Sequence, residues 1–494
     1  MIGNEVTRRW AIGALMAGVA SPALSKSHKI THNAPKVAKP KPPEILSPDA
    51  LTKTADLGGK VAYLVVDAKS GRVLESANVD APMAPASVAK TLTTLYALEA
   101  LGGDYRFTTR VVATGPLSGG VVQGDLVLVG GGDPTLDTDA LGDMAKQLAA
   151  AGVRGITGRF LTDASALPSI STIDPGQPPQ VEYNPGLSGL NLNFNRVYFG
   201  WQKKGAGYVL TMDARGLHYA PAVSRARMEI VNRAEPAFDY AMRDGVEQWS
   251  VAERALGPNG SRWLPVRHTG AYAGDVFQTL AATHGIRLPM AQSVTGTTGG
   301  TALAQHQSAS LRIVLREMLK YSTNVTAEVV GLTASIALGG QVDTLEASAR
   351  RMNDWAVQRF GIHPQLVDHS GLMPTNRVTV TDLVTLLRAG GTDDLRGILK
   401  TVPMQDERGH YGTAAAPKVQ AKSGTLNFVS NLAGYETTEK GHELVFAVLA
   451  GDVARCEAVP QADRENPYGV RSWVWRAHVM QRGFLVRWAR VYDA

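Results

Sequence analysis

Two residues that can do acyl chemistry together stand three positions apart, Ser87 and Lys90, within Pro85-Ala86-Ser87-Val88-Ala89-Lys90. A serine hydroxyl is a weak nucleophile until a neighbour removes its proton, and a lysine whose charge is disfavoured by burial or nearby cations can be that neighbour. Among the lysines of the chain, Lys90 alone has a serine three residues before it. Apolar Val88, Leu92, Leu95 and Leu98 recur at helical spacing and Gly102-Gly103 supply a stop. The spacing therefore predicts one amphipathic helix, with Ser87 at its start and sharing a face with Lys90. Free N–H groups at such a terminus favour negative charge developing beside the serine.

The elements that must position further groups lie downstream. Ser322-Thr323-Asn324 falls between an amphipathic run, Ser310 to Lys320, and an apolar run, Thr326 to Leu338, closed by Gly339-Gly340. A break so placed aims a hydroxyl and an amide into a cleft while both helices stay buried. Lys422-Ser423-Gly424-Thr425 ends a strand-like run that begins at Val419, and residues 431–437 and 442–450 read as two more strands. Near the start, Val61 to Asp67, the turn Lys69-Ser70-Gly71 and Arg72 to Glu75 read as a hairpin, expected to join the last strands in one antiparallel sheet.

The 494 residues, 44% apolar and 19% charged, describe a globular chain of two or three domains. Residues 1–25 read as an export signal, with Thr7-Arg8-Arg9-Trp10 ahead of a mild apolar run, Ala11 to Ala20. The paired arginines suit the twin-arginine route slightly better than the general one, and a periplasmic location is expected. Residues 26–47, rich in Lys and Pro, read as a basic extended tether. Residues 1–47 hold seven Lys and Arg against two Glu, so nearly all of the net charge of +6 belongs to leader and tether. The folded body thus has no basic excess to recruit nucleic acid.

Cys456 is the single cysteine, and His28 and His32 lie in the tether, so neither a disulfide, a metal nor a cofactor is expected. Residues 106–300 contain short β-rich runs, one helix around Leu141 to Ala151 and many turns. Gly130-Gly131-Gly132-Asp133-Pro134 lacks the Gly-Lys-Ser/Thr ending of a phosphate loop, and Gly186-Leu187-Ser188-Gly189 misses the nucleophile-elbow spacing by one residue. Both read as turns. The terminal helix, Arg471 to Arg490 with Trp473, Trp475, Phe484, Leu485 and Trp488, is expected to pack on the sheet, leaving at most peripheral membrane contact.

Ser87-x-x-Lys90, Ser322-x-Asn324 and Lys422-Ser423-Gly424-Thr425 stand in the order of the three motifs of penicillin-binding proteins and serine β-lactamases. The 235 residues from Ser87 to Ser322 exceed what a compact β-lactamase needs. The chain most resembles the class C low-molecular-mass penicillin-binding proteins, the D-alanyl-D-alanine carboxypeptidase/endopeptidase family, whose catalytic domain carries a large insertion. Asp368-His369-Ser370-Gly371-Leu372 and Asn191-Leu192-Asn193-Phe194-Asn195 are among the further local matches. Ser423 departs from the family's usual threonine but keeps the hydroxyl, and Met373-Pro374 stand where serine and arginine are frequent.

The resemblance implies an α/β fold: a serine β-lactamase/transpeptidase-like domain, with an antiparallel sheet and helices, formed by residues 48–105 and 301–494. A β-rich accessory module, residues 106–300, splits it. It implies acylation of Ser87 with Lys90 as base, and proton relay by Ser322 and Lys422. Asn324 would hold the substrate amide, and Ser423, Gly424 and Thr425 the substrate carboxylate and oxyanion. Asp163, in Leu161-Thr162-Asp163-Ala164-Ser165, matches a family position that can meet the amino group of diaminopimelate, and a structural turn aspartate is the equal alternative. Peptidoglycan peptides as substrates and β-lactams as covalent inhibitors follow from the same resemblance. A serine β-lactamase, or a non-catalytic wall-binding or penicillin-sensing protein, are the competing readings; no class A deacylating glutamate motif is found, and Lys90 argues against a site that has lost its base.

Overall fold

The computed structural model describes residues 45–296, 299–390, 395–404 and 416–493. The expected export signal, and the tether up to residue 44, lie outside the described residues.

One six-stranded antiparallel sheet organises the catalytic part. Its order is Lys400–Val402, Lys418–Leu426, Val429–Thr437, Glu443–Gly451, Lys60–Asp67 and Val73–Ala77, so the first hairpin and the last strands share one sheet. The central strands are buried almost end to end because both faces are covered. Side chains alternate along each strand, so Ala62, Leu64 and Val66 face a layer of helices while Tyr63 and Val65 face the opposite way. On that second face lie the short helix Pro48–Ala55 and the terminal helix Val470–Val491, which buries Trp473, Phe484 and Trp488 against Phe446 and Val448. Glu75 ties this helix down, accepting from the Trp488 indole at 2.9 Å and pairing with Arg487 at 2.7 Å. Among the described residues no helix is long and apolar enough to cross a membrane.

On the first face, the helix Lys90–Leu101 is buried on every side from Lys90 to Ala97, not on one stripe as the spacing suggests. Its threonines tolerate burial because each hydroxyl finds a carbonyl: Thr91 that of Val88, Thr94 that of Lys90 and Thr93 that of His369, each at 2.7 Å. Leu311–Tyr321, Asn324–Gly339, Leu345–Phe360 and Val380–Ala389 complete this layer.

The inserted module is built on a five-stranded sheet in the order Gln292–Val294, Phe160–Asp163, Leu126–Val129, Thr108–Ala113 and Thr301–Gln307. The last strand corrects the division at residue 300: Thr301–Gln307 pairs with Thr108–Ala113 and belongs to the module. Beside the anticipated helix, here Thr138–Ala150, a second one spans Thr269–Thr283, and both share one apolar core with the sheet. The triple glycine is a crossing point of backbones: a Cβ on Gly130 would lie 2.2 Å from the Gly189 carbonyl, and one on Gly131 2.2 Å from that of Thr108.

Candidate active site

Ser87 lies in a 3₁₀ turn, Ala86–Ala89, that runs into the Lys90–Leu101 helix, so the serine precedes the α-helix by one tight turn. Ala86 has φ +48°, a conformation costly for a residue with a Cβ. Three contacts hold it there. The Asn431 amide donates to the Ala84 and Pro85 carbonyls, each at 2.8 Å. Gly371 packs so tightly on the other side that a Cβ would sit 1.9 Å from the Ala86 carbonyl oxygen. Gly424, on the strand Lys418–Leu426, approaches so closely that a Cβ would be 2.8 Å from the Ser87 nitrogen. This last position accounts for the glycine of the Lys-Ser-Gly-Thr run: only a bare Cα lets the strand edge flank the serine N–H.

Lys90 Nζ reaches Ser87 Oγ at 2.9 Å, Asn324 Oδ1 at 2.9 Å and the Ser370 carbonyl at 2.7 Å. Two of these partners can only accept. The orientation of the Asn324 amide is fixed from its far side, where Nδ2 donates to the Tyr183 carbonyl of the inserted module at 3.0 Å. A neutral amine has two N–H donors and one lone pair, so donating to Asn324 and Ser370 leaves the lone pair on the Ser87 hydroxyl. Burial of the whole side chain pulls Lys90 down to about 8, against the opposing pull of Glu328 and Asp368.

Ser322 caps the helix Leu311–Tyr321 in the left-handed conformation, φ +58°, and Asn324 opens the next helix. The reversal carries Ser322 Oγ to Lys422 Nζ at 2.5 Å. Lys422 also donates to the Ser423 carbonyl, and burial, then the charges of Lys90 and Lys400, hold it well below the usual lysine range. Ser423 and Thr425, two apart on the same strand, are exposed together, while Gly424 between them is buried.

The structure thus gathers Ser87, Lys90 and Asn324 into one hydrogen-bonded group, links Ser322 to Lys422, and places Gly424 against Ser87. Asp163 is not part of this group in the contacts described: it ends a strand of the inserted module, and its carboxylate accepts from the Ser165 N–H at 3.0 Å and hydroxyl at 2.6 Å, as an aspartate closing a turn does. Among the described residues no cluster of His, Cys, Asp and Glu could hold a metal.

The sequence offers no role for Glu328, and Asp368 stands in it only as part of a local family match; both are fully buried behind Lys90. Glu328 accepts from the His369 and Ser370 N–H groups at 2.9 Å each. Asp368 accepts from Gly371 at 2.6 Å, Met373 at 2.7 Å and the Asn376 amide at 3.0 Å. A signal existed: Glu328 is the one charge in the run Asn324 to Gly339, a helix otherwise apolar or small.

Comparison with known proteins identifies the family. The profile described as the D-Ala-D-Ala carboxypeptidase 3 (S13) family matches residues 48–467. A D-alanyl-D-alanine carboxypeptidase of Actinomadura sp. (strain R39) is 29% identical over 435 residues, 81% of this chain and 79% of the relative. Carboxypeptidase DacB of Mycolicibacterium smegmatis is 30% identical over 425 residues, 80% of this chain and 77% of the relative. In fold, the crystal structure of penicillin-binding protein 4 from Haemophilus influenzae superposes with a TM-score of 0.71 at 20% identity, covering 88% of this chain and 99% of that one. The same H. influenzae protein has been solved in complex with a β-lactam. The chain belongs to the D-Ala-D-Ala carboxypeptidase 3 (S13) family and is a serine-type hydrolase of the class C low-molecular-mass penicillin-binding proteins.

Proposed function

We propose that this enzyme cleaves the terminal D-alanyl-D-alanine bond, and D-alanyl crosslinks, of peptidoglycan stem peptides through an acyl-enzyme on Ser87. The observation that carries the assignment is the contact of Lys90 Nζ with Ser87 Oγ at 2.9 Å, beside Asn324 Oδ1 and the Ser370 carbonyl: once neutral, the amine donates to those two acceptors and keeps its lone pair for the Ser87 hydroxyl. The Ser87 proton passes to Lys90 as Oγ bonds to the scissile carbonyl carbon. The oxyanion forms beside the N–H groups of Ser87 and Thr425, which the bare Gly424 allows to approach. As the C–N bond breaks, the leaving amine takes a proton by way of Lys90 and the Ser322–Lys422 pair. Water then hydrolyses the ester, releasing the shortened peptide and regenerating the Ser87 hydroxyl.

Lys422 is short of negative charge on its own. A substrate carboxylate on Ser423 and Thr425 supplies it and restores the ammonium form, so anion binding and Lys422 protonation reinforce each other. A β-lactam presents a similar carboxylate and a strained amide, and acylates the same serine. We place the enzyme in the periplasm, exported by its leading segment; Arg8-Arg9 and the apolar run from Ala11 support that reading. Incubation with defined muropeptides and mass analysis of the products tests the proposal. Loss of one terminal D-alanine marks carboxypeptidase action, and conversion of dimers to monomers marks endopeptidase action. Intact muropeptides alongside rapid turnover of penicillin would point to a β-lactamase instead.

A further inference from the structure

Behind the nucleophile, the five successive N–H groups from His369 to Met373 are all taken by side chains. Glu328 takes those of His369 and Ser370, Asp368 those of Gly371 and Met373, and the Ser370 hydroxyl that of Leu372 at 3.2 Å. With its donors turned inward onto carboxylates, the segment turns carbonyls outward onto the Lys90–Leu101 helix. The His369 carbonyl meets Thr93 at 2.7 Å and the Ser370 carbonyl meets Lys90 at 2.7 Å, one helical turn apart. The same segment presents Gly371 to the strained Ala86 turn. Burial raises the pKa of both acids, Asp368 as well as Glu328, while the N–H groups that they accept and the nearby Lys90 pull the other way.

We infer that Glu328 and Asp368 are positioning residues for the catalytic base: together they fix the segment that aims the Lys90 lone pair, and their charge stabilises Lys90 once it has taken the Ser87 proton. The inference rests on the proposed role of Lys90 and adds residues to it. Each transferred proton creates an ammonium group on a side chain with no solvent exposure, and a neighbouring anion offsets the cost of that charge. Both oxygens of Glu328 accept backbone N–H groups, the arrangement of an ionised carboxylate. Burial and Asp368 nevertheless push Glu328 up to about 8, the range of Lys90, so the two groups share one titration window. Lys422, with Lys400 acting on it in turn, adds positive charge on the other side, and the His369 ring lies against Ser348 and Met352. His369 is held neutral by burial, down to about 3, with its Nε2 at 2.7 Å from Ser348 Oγ.

The sign of the effect separates this role from mere support. A negative charge beside Lys90 raises its proton affinity, so neutralising Glu328 lowers it. The acid limb of the acylation rate, which requires neutral Lys90, then moves to lower pH. The experiment measures the second-order acylation rate of the full chain with a chromogenic cephalosporin from pH 5 to 10, for wild type and Glu328→Gln. Expected are a fall of about tenfold or more on the plateau and a downward shift of the acid limb by about one pH unit. A loss of rate with an unmoved limb overturns the charge role. If Glu328→Gln lacks a cooperative melt, Asp368→Asn is read by the same two criteria. If neither variant folds, the carboxylates are structural supports and the inference falls. Wild-type protein that is not acylated on Ser87 would instead refute the proposed function, a separate result.

Discussion

The two faces of the six-stranded sheet are held by different forces. The face under Lys90–Leu101 buries polar groups: Lys90, Thr91, Thr93, Thr94, Glu328, Asp368 and His369 all lie within it, each with a named partner or counter-charge. The face under Val470–Val491 is aromatic: Trp488 packs on Phe446 and Phe484, and Trp473 packs on Phe428. Fully burying one such ring contributes roughly 1.5–3 kcal/mol, whereas a satisfied buried hydrogen bond nets about 1 kcal/mol. The aromatic face therefore supplies stability that lets the other face hold charged groups out of water. Substitutions on one face should act on chemistry, and those on the other on stability.

Lys90→Arg breaks the catalytic side of this contrast most strongly. A guanidinium keeps the charge but cannot surrender a proton, so acylation by penicillin should fall by about 10²–10⁴-fold. Stopped-flow acylation measures it, and a normal rate would assign the base elsewhere. On the aromatic face, Trp488→Ala removes a ring packed on Phe446 and Phe484 and the hydrogen bond to Glu75. Denaturant unfolding should show a loss of about 3–5 kcal/mol, with the acylation rate per folded molecule unchanged. A matching loss of acylation would mean that the faces are coupled.

Glu436 sharpens the comparison, since it sits among the apolar residues of the second face, across from Leu444 and Val419. Neither carboxyl oxygen has a hydrogen-bond partner among the described residues, and burial pushes its pKa well up. The folded state thus holds a proton that the unfolded chain releases above about 4.5. This contribution to stability is complete at lower pH and is lost as pH rises through the folded value. Glu436→Gln should flatten that decline by about 1–2 kcal/mol at neutral pH, read from melts between pH 4 and 8. Identical pH profiles for the two proteins would show that Glu436 is ionised in the fold.

Local pattern carried much of this architecture. Strand runs near both ends of the chain, the break at Ser322-Thr323-Asn324 and the glycine of the Lys422 strand could be read directly, because turn chemistry and period are local properties. The pairing of the acids behind Lys90 could not be: Glu328 stands out as the one charge of its helix, but it meets Asp368, forty residues on, only through tertiary packing. The strand Thr301–Gln307 was misassigned for the same reason, since its partner Thr108–Ala113 lies nearly two hundred residues upstream and no period encodes the pairing. Full burial of the Lys90 helix is not legible from Val88, Leu92, Leu95 and Leu98, which mark one apolar stripe; the threonines between them are buried because their hydroxyls bond to carbonyls. For Asp163, the Asp-x-Ser spacing that closes a turn was present in the sequence, and the structure uses it so.

Labelling with a fluorescent penicillin, followed by proteolysis and mass mapping, tests the central claim most directly. The account predicts a single acylated peptide that carries Ser87, and no label in Ser87→Ala protein that retains a cooperative melt. Label on any other residue, or label retained by that variant, would contradict it.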